Sequence, residues 1–383
     1  MNNKDSVTIV GAGPAGLTAG IVLRKFGYQV NLYEQNNDVG LRFNGDFQGL
    51  ENWSDEEDTL DFLNRIGIKV NFLCQPYSGS DGYFYGPKLK QIKVKTSRPL
   101  FYLIERGSNP NSLDKGLKQQ AEDAGVNLLW GEKLESIKDG IAIVGSGPKA
   151  ADAIAKGLLF NTSHKDVFVG YLDNNIAPKA YSYLLVNKGR ATFATCMFED
   201  FKNERLYYER AFNVMRQTVN LDIWDEKEFG GFVNFFNEPV ISKDERILYV
   251  GENAGFQDAL WGFGIKYAMY SGYLAARSIN DGSSYQELCQ QYLYPKLQTS
   301  LANRWLFAQL HNPGYTYLLN KMGKMEDVIP TLRKHYNTSF SKRITYQIAK
   351  KWYHTRLIDK QCMHEHCDCV WCRHGKLAHN PSL

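Results

Sequence analysis

Three glycines near the N-terminus have the spacing of a dinucleotide site. A short apolar strand at 6–10 runs into the sequence Gly-Ala-Gly-Pro-Ala-Gly, which begins at Gly11, and a helix of small residues follows. Gly11 permits a tight turn, Gly13 lets the backbone approach a pyrophosphate, and Gly16 lets the helix pack on the strand. Ala15 belongs to the same turn. The N–H groups at the start of this helix would bind the phosphates.

An acidic residue completes this motif. A second strand at 29–33 ends in Glu34, which follows Gly11 by 23 residues. A carboxylate about 20 residues after the first glycine binds a ribose 2′-hydroxyl and disfavours a 2′-phosphate. Strand, turn, helix, strand and acid follow in order, so the sequence predicts a βαβ dinucleotide unit. The motif alone leaves open whether FAD or NAD is bound.

A third segment, far along the chain, has the residue types of a further cofactor contact. An apolar strand at 247–250 leads into a glycine-rich turn and then into a helix that runs to 279. Glu252 is placed to accept a hydrogen bond from a ribityl hydroxyl, and the helix N-terminus faces a pyrimidine ring or a phosphate. The candidate contacts of this segment are Gly251, Glu252, Gly262, Gly264 and Ile265.

Two arginines are candidates for contact with the same cofactor. Arg42 follows the ribose acid and could offset phosphate charge, with a solvated loop arginine as the alternative. Arg106 lies at the end of a strand at 100–104, before a helix at 113–124, and faces the predicted crevice. A second Gly-x-Gly at 145–147 lacks a following βαβ unit, so we interpret it as a turn that closes the dinucleotide domain.

The elements around these residues indicate several domains. Between 70 and 95, and again between 167 and 195, short aromatic segments alternate with turns, which is typical of an antiparallel sheet. A turn at 187–189, between apolar segments at 180–186 and 191–195, predicts a hairpin. A helix is expected at 204–219, and a mainly helical region follows residue 285. The predicted division is a cofactor domain at 1–74, 96–165 and 241–284, a substrate-binding sheet domain at 75–95 and 166–240, and a helical C-terminal region at 285–383.

Taken together, these segments resemble the geranylgeranyl reductase family of FAD-dependent oxidoreductases, within the class of glutathione-reductase-like and para-hydroxybenzoate-hydroxylase-like flavoproteins. The resemblance extends over residues 5–285 and rests on the glycine motif with Glu34, on Arg106 before its helix, and on the sequence from Gly251 to Ile265. It implies an α/β fold, with a Rossmann-type FAD-binding domain, an inserted, mainly antiparallel β-sheet substrate domain and a helical C-terminal region.

The resemblance also implies a reaction. FAD would lie extended across the crevice and its ring would pass a hydride to a carbon-carbon double bond of an isoprenoid or other apolar substrate, with NAD(P)H or another reductant as electron donor. Tyr181 and Tyr183 resemble part of the family's aromatic substrate motif, without its Trp and Phe-Pro. The family's cysteine is also missing, because residues 44–46 are Asn-Gly-Asp. Asp46 and Tyr181 are the candidate acid or base.

The charge of the chain is concentrated at its C-terminus. The whole sequence has a net charge of +4, with 45 Lys or Arg and 41 Asp or Glu, while residues 333–383 hold ten bases and three acids. This basic region could meet anionic lipid headgroups or form a solvated helix face. No nucleic-acid-binding motif accompanies it, so nucleic acid is not a predicted partner.

Four cysteines in this tail could bind a metal. They fall within eleven residues and could hold Zn²⁺ or an iron–sulfur cluster, although their spacing matches no strong pattern. Redox-active thiols and a Cys-rich tail without metal are the alternatives. The four are Cys362, Cys367, Cys369 and Cys372.

The remaining cysteines and the hydropathy predict where the protein resides. Cys74, Cys196 and Cys289 stand in apolar contexts, as reduced thiols do. No apolar run approaches the about 18 residues of a transmembrane segment, and no signal sequence is visible. We therefore expect a cytoplasmic protein, with peripheral contact at the inner face of the membrane left open.

The same fold supports other functions, which the sequence leaves open. An FAD-dependent aromatic monooxygenase or halogenase is one alternative, since fold does not determine chemistry. An electron-transfer flavoprotein with a metal or iron–sulfur site in its tail is another. A flavin-binding sensor without turnover is the third.

Overall fold

The computed structural model contains fifteen strands and ten α-helices among the residues that it describes, which are 4–134, 136–137, 140–148, 151–235, 240–242 and 245–354. The strands are β1 (Lys4–Val10), β2 (Tyr28–Glu34), β3 (Phe47–Glu51), β4 (Gln75–Tyr77), β5 (Gly82–Tyr85), β6 (Gln91–Ile92), β7 (Phe101–Glu105), β8 (Asn127–Trp130), β9 (Ala142–Val144), β10 (Ala153–Asn161), β11 (Val167–Tyr171), β12 (Ser182–Asn187), β13 (Arg190–Met197), β14 (Trp224–Val233) and β15 (Ile247–Tyr249). The helices are α1 (Pro14–Lys25), α2 (Thr59–Arg65), α3 (Leu113–Asp123), α4 (Glu204–Thr218), α5 (Ile265–Asp281), α6 (Tyr285–Tyr292), α7 (Tyr294–Gln309), α8 (His311–Met322), α9 (Ile329–Tyr336) and α10 (Phe340–His354).

A five-stranded parallel sheet of order β15-β9-β1-β2-β8 carries the predicted dinucleotide motif. Its central strands are apolar because helices cover the sheet, and Ile9, Leu32 and Ile143 are fully buried. Helix α1 packs along α5, so closely that a Cβ on Gly272 would overlap the carbonyl oxygen of Ala15. Small residues on these two helices therefore set their separation.

A seven-stranded, mainly antiparallel sheet of order β14-β10-β13-β12-β11-β5-β6 forms the second layer. The predicted hairpin is present, since β12 and β13 pair from Ser182 with Thr195 to Asn187 with Arg190. Helix α4 packs against this sheet. The α/β fold class with an inserted antiparallel sheet is therefore confirmed.

The strand membership departs from the predicted boundaries at two places. Strand β10 lies before residue 165 but pairs with β13 and β14 in the seven-stranded sheet. Strand β4, assigned to the substrate domain, pairs instead with β7 in a separate antiparallel sheet of order β3-β7-β4. All five residues of β7 are buried, so its apolar sequence did not indicate which sheet it joins.

The C-terminal region is helical, as predicted, from α6 to α10 in the described part of the chain. Helices α8 and α9 bury Tyr315, Leu319, Ile329 and Tyr336 against the rest of the protein. Their apolar residues recur at helical spacing. No helix in the described part of the chain is long and apolar enough to cross a bilayer.

Candidate functional site

A cavity of about 1320 Å³ opens at the carboxyl end of the parallel sheet and continues between the sheets. Ligands of open α/β sheets bind at this edge. The glycine motif, the segment 251–265 and the inner face of the seven-stranded sheet all line it. The three segments that the sequence singled out therefore meet in one place.

The N-terminus of α1 is open toward this cavity. Gly13 is the N-cap of the helix, no side chain caps it, and a Cβ built on Gly13 would have no atom within 4 Å. Gly11 has φ +99°, and a Cβ on Gly16 would overlap the Gly11 carbonyl oxygen. Gly11 and Gly16 are thus required by the protein's own packing. Gly13 instead leaves room for a ligand, which fits the pyrophosphate of a dinucleotide.

Glu34 lies at the end of β2, as predicted, and its carboxylate is held in place. One oxygen accepts a hydrogen bond from the Ala12 backbone N–H at 2.9 Å, and the other accepts from the Asn36 N–H at 3.0 Å. The side chain borders the cavity next to the glycine turn. This position suits contact with a ribose hydroxyl.

Arg42 and Glu252, both predicted to touch the cofactor, form an ion pair with each other. The distance from Arg42 Nη1 to Glu252 Oε2 is 2.7 Å, and the two side chains are 37% and 18% exposed. Arg42 also donates to the Phe232 carbonyl and lies 4.9 Å from the centre of the Phe232 ring. The pair therefore links the cofactor loop to the end of β14 at the cavity wall, and the predicted contacts of both residues with a cofactor stay predictions.

Arg106 is a structural residue in this structure. Its guanidinium makes two hydrogen bonds of 2.9 Å to the carboxylate of Asp114, and both side chains are almost fully buried. The same carboxylate accepts from the Gly107 N–H, and the guanidinium lies 4.0 Å from the Phe43 ring centre. Asp114 therefore compensates the charge of Arg106 at the cavity wall, and the predicted contact of Arg106 with a cofactor stays a prediction.

The segment 251–265 provides a second glycine-lined wall. Gly251 has φ +60°, and a Cβ there would lie 3.0 Å from the Ala15 Cβ. Gly262 has φ +78° and faces the Tyr181 hydroxyl, while Gly264 is the N-cap of α5 without a side-chain cap. Ile265 starts that helix and also lines the cavity. A second helix N-terminus therefore adjoins the site, as the sequence predicted.

The candidate catalytic residue Tyr181 lies in an aromatic wall. Its hydroxyl donates to the Trp261 carbonyl oxygen, and the two rings meet edge to face at 5.6 Å. Burial raises the pKa of Tyr181 well above its ordinary value, so the hydroxyl keeps its proton. The neighbouring thiol of Cys196 lines the same wall, and burial raises its pKa to about 12.

The other candidate, Asp46, is a buried carboxyl at the cavity. It accepts hydrogen bonds from the Asn44 N–H at 3.0 Å and from Gln48 Nε2 at 2.8 Å. Burial raises the pKa of Asp46, while these hydrogen bonds and the charge of Arg106 oppose the rise. Asp46 and Tyr181 therefore both border the cavity.

Several cavity residues were not found from the sequence. Trp53 and Phe263 meet edge to face at 5.0 Å, and Trp261 lines the same cavity. One part of the cavity extends from this wall toward α8 and α9. Its lining is apolar. No local sequence signal marks these positions, because apolar and aromatic residues are also ordinary core residues. The residues of this apolar arm are Phe84, Val94, Leu319, Met322 and Leu332.

The predicted metal ligands Cys362, Cys367, Cys369 and Cys372 lie outside the described residues. Within the described residues, no group of three or more His, Cys, Asp or Glu side chains could hold a metal ion. The cysteines that are described, at 74, 196 and 289, are free thiols.

Comparisons with known proteins agree with this geometry. The family model of the NAD(P)-binding Rossmann-like domain matches residues 9–47. An L-amino-acid oxidase of Siganus canaliculatus is 28% identical over 150 residues, which is 36% of this chain. The chain spans only 26% of the length of that oxidase.

Solved structures match over nearly the whole chain. A geranylgeranyl bacteriochlorophyll reductase-like protein from Thermoplasma acidophilum has a TM-score of 0.69 at 19% identity, covering 93% of this chain and 100% of its own. A flavin-dependent brominase has a TM-score of 0.63 at 15% identity, covering 91% and 99%. The chain therefore shares the fold of these two proteins.

Proposed function

We propose that this protein is an FAD-dependent oxidoreductase that reduces carbon-carbon double bonds of an isoprenoid or similarly apolar substrate. The observation that carries the proposal is the continuity of one cavity. It joins the open N-terminus of α1 to an aromatic wall and an apolar arm. A polar, glycine-lined end suits a dinucleotide, and an apolar end suits a hydrocarbon chain.

The residues present fit FAD. Gly13 leaves space at an uncapped helix N-terminus, Glu34 borders that space, and Gly262 and Gly264 lie at the second helix N-terminus. When bound, FAD would supply the hydride that reduces the substrate. NAD(P)H or another reductant would provide the electrons.

Reduction of a double bond also needs a proton, and the chain offers two groups that could hold one. Tyr181 Oη keeps its proton because burial raises its pKa, and its hydrogen bond to Trp261 fixes the ring at the wall. Asp46 is the second donor, since its pKa is also raised by burial. We favour Tyr181, because the Asn44 and Gln48 hydrogen bonds to Asp46 stabilise its charged form.

The apolar arm would exclude water and align the substrate. Leu319, Met322 and Leu332 lie far from the glycine motif in sequence but line the same cavity. A chain that fills this arm would be fixed by apolar burial along its length. A lipid substrate would be met in the cytoplasm at a membrane surface, which makes peripheral membrane contact part of this proposal.

An anaerobic purification followed by an absorption spectrum tests the proposal. A flavin spectrum, and then a mass gain of two hydrogens per double bond when the reduced protein is given an unsaturated isoprenoid lipid, is the expected result. A colourless protein that binds no added FAD would overturn it. A protein that binds flavin but leaves every alkene unchanged would overturn the substrate class alone.

A second candidate is an aromatic monooxygenase or halogenase, which the likeness to a flavin-dependent brominase favours. Oxygen consumption and rapid NAD(P)H oxidation, both stimulated by an aromatic substrate, would support it over alkene reduction. An electron-transfer role would depend on the four tail cysteines, and metal and acid-labile sulfide analysis of the same preparation tests it.

A further inference from the structure

Helix α10 has an apolar stripe that faces away from the protein. Phe340, Ile344 and Ile348 are 80%, 51% and 47% exposed. They recur every fourth residue, so at about 100° per residue they span about 80° of the helix surface. Tyr346 and Ala349, which are buried, lie on the opposite face, where α10 packs on α7. Large exposed apolar residues in one row mark a surface that binds something.

The charges around this stripe all have one sign. From Ile329 to His354 the chain contains six Lys or Arg and no Asp or Glu. Arg333 pairs with Glu56, and Lys342 donates to backbone carbonyls at the end of α9. Arg343 and Lys351 on α10 are exposed to solvent. The apolar stripe is therefore bordered by positive charge and by neutral polar residues.

We propose that α10 docks this protein on a membrane surface that contains anionic lipid. The helix would lie in the plane of the interface, with Phe340, Ile344 and Ile348 at the boundary of the acyl chains and the bases among the headgroups. An apolar face with basic borders is the pattern of such interfacial helices. The inference does not depend on the proposed reaction.

Charge complementarity favours lipid over a second copy of the chain. Two copies that met through α10 would bring the same bases together, and neither helix has an acid to compensate them. Three residues, 337–339, separate α10 from α9, which contributes Leu332 to the apolar arm of the cavity. Docking through α10 would therefore place α9, and with it the apolar arm of the cavity, close to the membrane surface.

The test is flotation of the FAD-loaded full chain with phosphatidylcholine vesicles, with and without phosphatidylglycerol. We expect binding to the anionic vesicles, which falls about tenfold or more when Phe340→Ser, Ile344→Ser and Ile348→Ser are combined. Combining Arg343→Gln with Lys351→Gln should weaken binding and reduce its sensitivity to salt. Leu206→Ser, at an apolar residue of α4 that is 43% exposed, is the matched control and should float like the wild type.

Several outcomes would overturn the inference. These are equal flotation of the triple serine variant and the wild type, no binding to anionic vesicles, and a dimer in solution that the triple variant alone disrupts. Flavin content and thermal unfolding of each variant show whether it is folded. Flotation measures no turnover, so its failure is distinct from failure of the proposed reaction.

Discussion

The hydroxyl of Tyr336 on α9 donates a hydrogen bond of 3.0 Å to Asp258, a buried residue that precedes the loop 259–264. The other carboxylate oxygen of Asp258 accepts from the Trp261 N–H at 2.7 Å. Helix α7 holds the same loop through Ser300 and Arg304, which bond to the backbone of Ala259 and Leu260. The C-terminal helices therefore fix the loop that presents Trp261 and Phe263 to the cavity.

Removing the Tyr336 hydroxyl should loosen this loop. Tyr336→Phe leaves a buried carboxylate without one of its donors, so we expect a loss of about 1–3 kcal/mol in the free energy of unfolding. FAD affinity, measured by flavin fluorescence titration, should fall with it. Tyr317→Phe, at a side chain of α8 that is 66% exposed, is the control and should change neither quantity. Unchanged stability of Tyr336→Phe would contradict the role given to this bond.

The ionisation of Asp258 should make stability depend on pH. Burial raises the pKa of Asp258 from 3.8 to about 6, so the folded state holds this proton more tightly than the unfolded state. The contribution of Asp258 to the free energy of unfolding is at most about 3 kcal/mol. It is fully present below about pH 4 and is lost as the pH rises through about 6. Urea unfolding at about pH 4.5 and about pH 7 measures the free energy of unfolding in the two states of Asp258. The difference between the two values should be smaller for Asp258→Asn than for the wild type. Equal differences in the two proteins would refute this assignment.

Two glycines of the same motif should respond differently to alanine. A methyl group on Gly13 meets open space, so Gly13→Ala should leave the stability of the apoprotein unchanged and weaken FAD binding about tenfold or more, since it blocks approach to the pyrophosphate. A methyl group on Gly16 overlaps the Gly11 carbonyl, so Gly16→Ala should lower the apoprotein melting temperature. Thermal unfolding and FAD titration of both variants measure this contrast. Intact FAD affinity in Gly13→Ala would show that no cofactor approaches there.

The two arginines at the cavity should also differ. Asp114→Asn leaves the Arg106 charge buried without its partner, and we expect about 3–5 kcal/mol of destabilisation. Arg42→Gln removes a partly exposed ion pair and should cost about 1 kcal/mol or less. Denaturant unfolding of the two variants compares these values. A mild effect of Asp114→Asn would mean that Arg106 finds another anion.

The proton donor can be identified by kinetics. If Tyr181 supplies the proton in the proposed reaction, Tyr181→Phe should slow alkene reduction by about 10²–10⁴-fold. Its flavin content and the rate of flavin reduction should stay close to the wild-type values. Asp46→Asn, compared under the same conditions, should have the smaller effect. A larger effect of Asp46→Asn would reverse the assignment.

The sequence predicted the features of the site that are local. Gly16 lies against the Gly11 carbonyl oxygen of the same turn, and Glu34 follows at the end of the adjacent strand, where it accepts from the Ala12 N–H. Periodicity likewise predicted the hairpin of β12 and β13.

Features that depend on distant partners were not predictable in this way. Arg42 and Glu252 are 210 residues apart in sequence, and their pairing is visible only in the folded chain. The sequence placed Arg106 at the crevice, but its ion pair with Asp114 on the next helix is visible only in the folded chain. Strand β7 is buried on both faces, so its mainly apolar sequence does not indicate which sheet it joins.

One of the two edge strands of the parallel sheet, and one of the helices that cover it, follow the inserted sheet in the sequence. Strand β15 pairs with β9, and α5 packs along α1, yet both come after residue 246. While the ribosome is still synthesising the inserted sheet, β1, α1 and β2 have already emerged, and the apolar surface that β15 and α5 later cover is exposed. Nascent chains of this protein should therefore bind chaperones until α5 has left the exit tunnel, and truncations that end before residue 282 should aggregate.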